Sequence, residues 1–139
     1  LAVPLAVGDR VYTVTCLSVG NPHCVVFWDA IDSLDLDTVG PAFEYAPAFP
    51  ERVNTEFVRV IDRTTLRMRV WEQGSGVTLA CGTGACAAAF AAVCRGFCTG
   101  DQPIEAVLDG GSLFITVQSG GAVRMEGPAV TVFEGEVER

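Results

Sequence analysis

Residues 81–95 read CGTGACAAAFAAVCR, and this stretch decides the fold. Alanines, which favour helices strongly, crowd its second part, so we predict a helix over residues 85–95 that Gly96 ends. The helix is apolar around its whole circumference, which is typical of a helix that is buried on every side. Other elements of the chain therefore have to surround it.

Patterns of β-branched and alternating residues predict strands on both sides of this helix. The clearest pair is residues 55–61 and 65–71, since a three-residue turn joins them and the second alternates apolar and polar side chains. The other predicted strands are residues 11–19, 24–28, 104–108, 113–118, 123–126 and 130–133. A short helix is expected over residues 36–43, with Gly40-Pro41 favouring a stop inside it. We expect an α+β fold, with a curved, mostly antiparallel, barrel-like sheet wrapped around one central buried helix.

Composition narrows the class of protein. The chain has 139 residues, half of them hydrophobic and 19% charged, which excludes intrinsic disorder and predicts one domain over residues 1–139. The net charge of −8 argues against binding to nucleic acid or to an anionic membrane surface. The longest apolar run, residues 85–94, is too short to cross a bilayer, and no signal peptide is evident at the start.

The six cysteines indicate a reduced protein rather than a disulfide scaffold. Several of them lie within apolar stretches, and a chain of this length can build a core without covalent links. We therefore expect a cytoplasmic protein. There is no Cys-x-x-Cys pair and only one histidine, so we expect no metal site.

Cys81 is the strongest candidate for chemistry. It lies where the predicted helix starts, and the positive end of the helix dipole should lower the pKa of its thiol. The backbone N–H groups of Gly82 and Thr83 could hold a carboxylate there, an arrangement that suits proton abstraction next to a carboxyl group. The alternative is that Cys81 is a small core residue and that the glycines only permit a tight turn. On the pattern alone, this second interpretation is favoured.

Four further polar residues lie at strand ends. His23 follows a Gly-Asn-Pro turn and could handle or orient a proton. Glu72 ends a strand before the glycine-rich loop and could polarise Cys81 or bind a substrate amine. Asn21 and Asn54 offer amide donors and acceptors. Each also has a structural interpretation, since a lone histidine, a solvated carboxylate and turn amides are all common.

Taken together, these residues carry a family resemblance. The segments GNPHCV (20–25), ERVN (51–54) and WEQGSGVTLACGTGAC (71–86), followed by GPA (127–129) and VFEGE (132–136), resemble the C-terminal half of diaminopimelate epimerase. The resemblance runs from about Val11 to the end of the chain. Several separate motifs in the same order make it specific and favour the catalytic interpretation of Cys81.

The resemblance implies an epimerase that needs no pyridoxal phosphate and no other cofactor, and that interconverts LL- and meso-diaminopimelate on the route to lysine and peptidoglycan. Such an enzyme has two similar domains, each a curved sheet around a helix, with the active site between them. One cysteine from each domain faces the substrate's α-carbon; one removes the proton and the other returns one. The chain would be the C-terminal domain, and its partners would be the amino-acid substrate and the N-terminal domain of the same enzyme. A second copy of the chain is a further candidate partner.

The resemblance also implies a role for each candidate residue. Cys81 would be the proton-handling cysteine of this domain, with Glu72 assisting it, and His23 would assist the cysteine of the other domain. The remaining candidates would bind substrate: the Gly82 and Thr83 backbone would hold the reacting carboxylate, and Asn21, Asn54 and Gln73 would lie at the distal end.

Two positions depart from the family pattern. Gln73 stands where arginine is usual, and Val77 stands where glutamate is common. A neutral amide is a weaker partner for a second carboxylate than a bidentate guanidinium. Two alternatives therefore stay open: a divergent racemase of the same fold group with a different amino-acid substrate, and a non-catalytic stand-alone domain.

Overall fold

Strands and two α-helices alternate along the described chain, which is residues 2–78, 81–127 and 131–137 of a computed structural model. A 3₁₀ turn, Ile31–Ser33, precedes the first α-helix. In chain order, the elements are β1 (Ala2–Val7), β2 (Arg10–Ser18), β3 (Pro22–Phe27), α1 (Leu36–Glu44), β4 (Asn54–Asp62), β5 (Thr65–Glu72), β6 (Gly76–Thr78), α2 (Gly82–Cys94), β7 (Pro103–Leu108), β8 (Gly111–Val117), β9 (Ala122–Glu126) and β10 (Thr131–Glu136).

The strands form one sheet in the order β1-β2-β3-β4-β5-β7-β8-β9-β10, and the short β6 pairs with the free part of β5. Neighbours are antiparallel except β3–β4 and β5–β7. These two pairs are parallel because a helix crosses over between their strands, α1 in the first case and α2 in the second. In the described part of the chain, β1 and β10 do not pair, so the sheet stays open.

Helix α2 lies inside the curve of this sheet. It packs against β2 to β5 and β7 to β9, and every residue from 84 to 92 is buried. The many alanines let strands approach the helix axis closely from several directions, which explains the sheet's curvature. Gly96, with a φ of +76°, follows the helix as its terminator. The predicted α+β fold with a central buried helix is confirmed, and the helix begins three residues earlier than expected.

Helix α1 covers the outer face of the sheet. Its Phe43 ring packs edge-on against Tyr12 at a centroid distance of 4.9 Å and against Phe57 at 5.4 Å. The predicted stop at Gly40-Pro41 is wrong, because the helix continues through both residues to Glu44. Gly40 serves packing instead: a Cβ atom there would overlap the indole ring of Trp71.

The strand predictions are accurate to within two residues for all strands from β2 to β9 except β6. The last predicted strand, 130–133, begins in a residue outside the described part, and β10 extends beyond it to Glu136. The sequence pattern missed β1, an edge strand that includes Pro4, and β6, which lies in the glycine-rich loop. Among the described residues, no helix has the length and apolar character needed to cross a bilayer.

Candidate active site

The ends of three neighbouring strands bring the candidate residues to one place on the inner face of the sheet. His23 of β3 lies opposite Asn54 in the parallel pair β3–β4. Glu56 lies two residues further along β4 and therefore on the same face. Because β5 runs antiparallel to β4, its last residue, Glu72, lies beside Asn54 at the start of β4. Helix α2 begins at this end of the sheet, so Cys81 joins the group.

Cys81 is the N-cap of α2. Its sulfur accepts a hydrogen bond from the Gly84 N–H at 3.3 Å, and the Thr83 hydroxyl lies 3.8 Å away. The prediction of a lowered pKa is wrong for this domain: burial raises the pKa of the Cys81 thiol, and the charges of Glu56 and Glu72 add to the rise. These effects outweigh the hydrogen bonds at the helix start, which lower the pKa.

Glu56 is the site residue that the sequence analysis missed. Its side chain is fully buried, and Oε2 lies 2.8 Å from Nδ1 of His23, whose side chain is also fully buried. A Cβ atom on Gly84 would lie 3.0 Å from both Glu56 Oε2 and the Cys81 sulfur, so these two atoms face each other across the space that Gly84 leaves. The sequence does contain a signal for Glu56, because a glutamate two residues after Asn54 in a β-branched and apolar strand must lie on the same face as Asn54.

The His23 ring lies between two oxygen atoms. Nδ1 faces the Glu56 carboxylate, and Nε2 lies 2.9 Å from Oδ1 of Asn21. Both contacts are hydrogen bonds only if the His23–Glu56 pair holds two hydrogens, one on Nε2 and one between Nδ1 and Oε2. The pair then carries no net charge, in keeping with its burial. Burial also raises the pKa of Glu56, while the hydrogen bond to His23 opposes that rise.

Asn54 connects the two loops that border the site. Its Nδ2 donates to the Pro22 carbonyl at 3.1 Å, and its Oδ1 accepts from the Gln73 N–H at 2.7 Å. The side chain therefore holds the Gly-Asn-Pro turn to the loop after β5. Among the described residues, one Nδ2 hydrogen and one Oδ1 lone pair of Asn54 have no further partner and could serve a ligand.

The loop after β5 is fixed from behind the sheet. Glu44, a buried residue at the end of α1, accepts hydrogen bonds from the Trp71 indole N–H at 2.9 Å and from the Gly74 N–H at 3.2 Å. Gln73 is exposed, and its amide donates to the Glu51 carbonyl at 3.2 Å. Val77 is an exposed hydrophobic residue. Outer-layer contacts thus set the position of Glu72 and Gln73 at the rim of the site.

The first turn of α2 presents its backbone to the site. Gly82 and Thr83 are both partly exposed, and no acceptor among the described residues pairs with their N–H groups. Two donors at the positive end of a helix form a favourable place for a carboxylate. The structure therefore brings together all eight of the predicted site residues at the adjoining ends of β3, β4, β5 and α2.

No cluster of three or more His, Cys, Asp or Glu side chains within residues 2–78, 81–127 and 131–137 is arranged to hold a metal ion. All six cysteines are free thiols.

Comparisons with known proteins show which family the chain resembles. The family model for diaminopimelate epimerase matches residues 15–132. Similar relatives include the diaminopimelate epimerases of Thermosynechococcus vestitus (55% identity, 96% of this chain, 48% of that protein), Cyanothece sp. (53%, 97% and 48%) and Desulfovibrio desulfuricans (53%, 98% and 47%). The chain thus spans about half the length of these relatives.

Solved structures support the fold. A Bacillus anthracis protein of the PhzF phenazine biosynthesis family superposes with a TM-score of 0.59 at 23% identity, over 82% of this chain and 39% of that one. A Clostridium difficile protein described as a putative phenazine biosynthesis PhzC/PhzF protein gives 0.58 at 20% identity, over 86% and 44%. With the family match over residues 15–132 and relatives more than 50% identical, this chain belongs to the diaminopimelate epimerase family.

Proposed function

We propose that the chain is the C-terminal half of a cofactor-independent epimerase that interconverts LL- and meso-diaminopimelate. A second domain of the same enzyme supplies the other cysteine, and the substrate binds between the two. The observation that carries the proposal is the position of Cys81: its sulfur lies at the start of α2, beside two backbone N–H groups and facing carboxylates. This is the set of groups that proton transfer at a carbon next to a carboxylate requires.

Cys81 is the proton-handling residue in this half. With its pKa raised by burial, the resting thiol keeps its hydrogen and is ready to donate it to the substrate's α-carbon. In the opposite direction Cys81 must first become a thiolate, and Glu72 is the carboxylate that assists this step. The N–H groups of Gly82 and Thr83 hold the substrate carboxylate and stabilise the negative charge that develops on it when the α-proton leaves.

His23 serves the other cysteine, which the second domain provides. Glu56 acts through His23 as a positioning residue, because its bond to Nδ1 fixes the ring and keeps a hydrogen on Nε2. When substrate binds, the Nε2–H group of His23 leaves Asn21 and donates instead to the cysteine of the other domain. Asn21, Asn54 and Gln73 then line the distal end of the substrate, which does not react.

Activity of the separated and combined halves tests the proposal. The chain alone should show no exchange of the substrate's α-hydrogen with deuterated water, and addition of the other domain should restore it. Cys81→Ala in the combined enzyme should lower turnover by at least about 10²-fold, the usual contribution of a general acid or base. Cys94→Ser is the matched control and should keep turnover near that of the parent. Turnover by the chain alone at the combined rate, or equal turnover in both variants, would contradict the proposal.

A second candidate substrate follows from Gln73. An amide at this rim position recognises a neutral or singly charged distal group better than a guanidinium would, so a different amino acid is the alternative. For diaminopimelate, Gln73→Arg in the combined enzyme should lower the KM about tenfold or more, since a charged hydrogen bond contributes about 1–3 kcal/mol. Gln73→Met is the control that removes the amide without adding charge. If Gln73→Arg leaves the KM unchanged, Gln73 is outside the distal pocket.

A further inference from the structure

Two cysteines lie directly opposite each other on the outer face of the sheet, away from the active site. In the antiparallel pair β2–β3, Cys16 is the register partner of Cys24. Directly opposed residues of antiparallel strands have Cα atoms about 4.5–5.5 Å apart, and their side chains project from the same face. This spacing is within the range that a disulfide requires, about 4.4–6.8 Å.

The two thiols differ in environment. Cys16 is exposed, whereas Cys24 is fully buried in the outer core beside Val14 and Val26. The neighbouring Cys24 thiol, as a potential hydrogen-bond donor to the ionised Cys16 sulfur, lowers the pKa of Cys16 to about 7. The same contact, together with burial, raises the pKa of Cys24. Cys16 is therefore an exposed thiol that ionises near neutral pH, and Cys24 lies directly opposite it on the neighbouring strand.

We propose that Cys16 and Cys24 form a reactive dithiol, in which Cys16 takes up a small-molecule disulfide and Cys24 completes a cross-strand disulfide. In the first step the Cys16 thiolate attacks one sulfur of the small disulfide, forms a mixed disulfide and releases one thiolate. In the second step the Cys24 proton passes to a released thiolate. The Cys24 sulfur then attacks Cys16 and displaces the second small thiol. Two protein thiols are oxidised and one small disulfide is reduced to two thiols.

The inference goes beyond the proposed function and needs no substrate for its test. Cys24 precedes Val25 and follows His23, but its side chain lies on the opposite face of β3 from the His23 ring. The bridge therefore joins β2 to β3 without using any residue of the candidate active site.

The test is treatment of the protein with oxidised glutathione, followed by denaturation, blocking of free thiols with N-ethylmaleimide and measurement of the intact mass. In the treated parent, two of the six thiols should no longer react with N-ethylmaleimide. Apart from the blocking groups, the protein should be two hydrogens lighter than before treatment and carry no glutathione. Chymotryptic cleavage after Leu17 should leave two segments joined through Cys16 and Cys24. Cys94→Ser, the control, should still form this bridge.

The variants separate the two steps. Cys16→Ser should form no bridge and no adduct at Cys24, because the buried thiol is neither accessible nor ionised. Cys24→Ala should leave a stable glutathione adduct on Cys16, and it should slow alkylation of Cys16 at neutral pH about 5–10-fold as the hydrogen bond is lost. The single histidine gives one set of ring signals in NMR, and the chemical shifts of this set report whether each variant is folded. A glutathione adduct on Cys24 in Cys16→Ser, an adduct on Cys16 without a bridge in the parent, or no oxidation of either residue would overturn the proposal.

Discussion

The contact between Glu56 and His23 allows one prediction to be worked out in detail. Glu56→Ala removes the carboxylate that pairs with Nδ1 of a fully buried ring and leaves a cavity. Breaking a buried pair by removing one partner costs about 3–5 kcal/mol of the free energy of unfolding. Glu56→Gln keeps the volume and one acceptor oxygen, so its cost should be about 1 kcal/mol. The two variants should therefore differ clearly although both remove the same carboxyl group.

Urea denaturation followed by the fluorescence of the two tryptophans measures this difference. With a slope of about 2 kcal/mol per molar urea, Glu56→Ala should lower the midpoint by about 2 M and Glu56→Gln by about 0.5 M. Asn21→Ala, which removes the oxygen on the other side of the His23 ring at a partly exposed position, is the comparison and should cost less than Glu56→Ala. If both Glu56 variants shift the midpoint equally, by less than about 0.5 M, the pair does not form as described.

The pH dependence of the same comparison has a definite sign. Because burial raises the pKa of Glu56, the folded protein holds this proton at pH values where the unfolded chain, at its ordinary pKa of 4.5, has lost it. The parent therefore loses stability relative to Glu56→Gln as the pH rises above that ordinary value. Denaturation at about pH 5 and about pH 8 should show the difference moving in favour of Gln. A difference that is independent of pH, or that moves in favour of the parent, would contradict the direction of the shift.

The ring nitrogens of His23 give a second readout that a purely structural role would not move. Since the chain has one histidine, its ¹⁵N resonances can be assigned without ambiguity. The parent should show a hydrogen on Nε2 and a shared hydrogen at Nδ1, whereas Glu56→Gln should leave a neutral ring that keeps its hydrogen on Nε2, facing Asn21, and has a bare Nδ1 that accepts from the Gln amide. Identical nitrogen shifts in parent and variant would show that Glu56 does not govern the protonation of the ring.

The remaining predictions concern packing and thiol reactivity. Gly40→Ala should lower the free energy of unfolding by about 1–3 kcal/mol, because the overlap of its Cβ with the Trp71 ring outweighs the gain in helix propensity; urea denaturation measures it, with exposed Asp37→Ala of the same helix as a near-neutral control. A Gly40→Ala variant as stable as the control would mean that the ring does not pack on the backbone. Cys81 should be alkylated faster than Cys86 at neutral pH, since Cys86 is fully buried and burial raises its pKa to about 12; peptide mapping after timed labelling distinguishes them, and equal rates would contradict the burial described.

Much of the fold could be predicted because its determinants are local. The wholly apolar stretch at residues 84–92 needs cover on every side, and the period-two alternation in β5 shows which face is buried. The role of Gly40 could not be predicted, since its packing partner Trp71 lies in a different element. From its neighbours in sequence alone, Gly40 is expected only to weaken the helix. Strand β1 could not be predicted, because its pairing with β2 defines it rather than a pattern in its own residues.

The candidate site, like the fold, could be predicted from the sequence only in part. The motifs identify Cys81, His23 and Glu72, and the sheet brings them to adjoining element ends. The ionisation of Cys81 was predicted with the wrong sign, because the helix start is visible in the sequence whereas burial and the charge of Glu56, 25 positions away, are not. A pKa is set by the sum of all neighbours in space, so a single local contribution did not suffice.

The all-round cover of α2 has a consequence for the dynamics of the domain. A helix surrounded by β2 to β5 and β7 to β9 cannot leave its place in small steps, since freeing one side requires the strands on that side to separate. The hydrogen-bonded amides of its buried residues 86–92 should therefore exchange with deuterated water only when the whole domain opens, at a protection equal to the global free energy of unfolding. The same helix that offers its first turn to a ligand should thus be strongly protected from exchange over its buried turns.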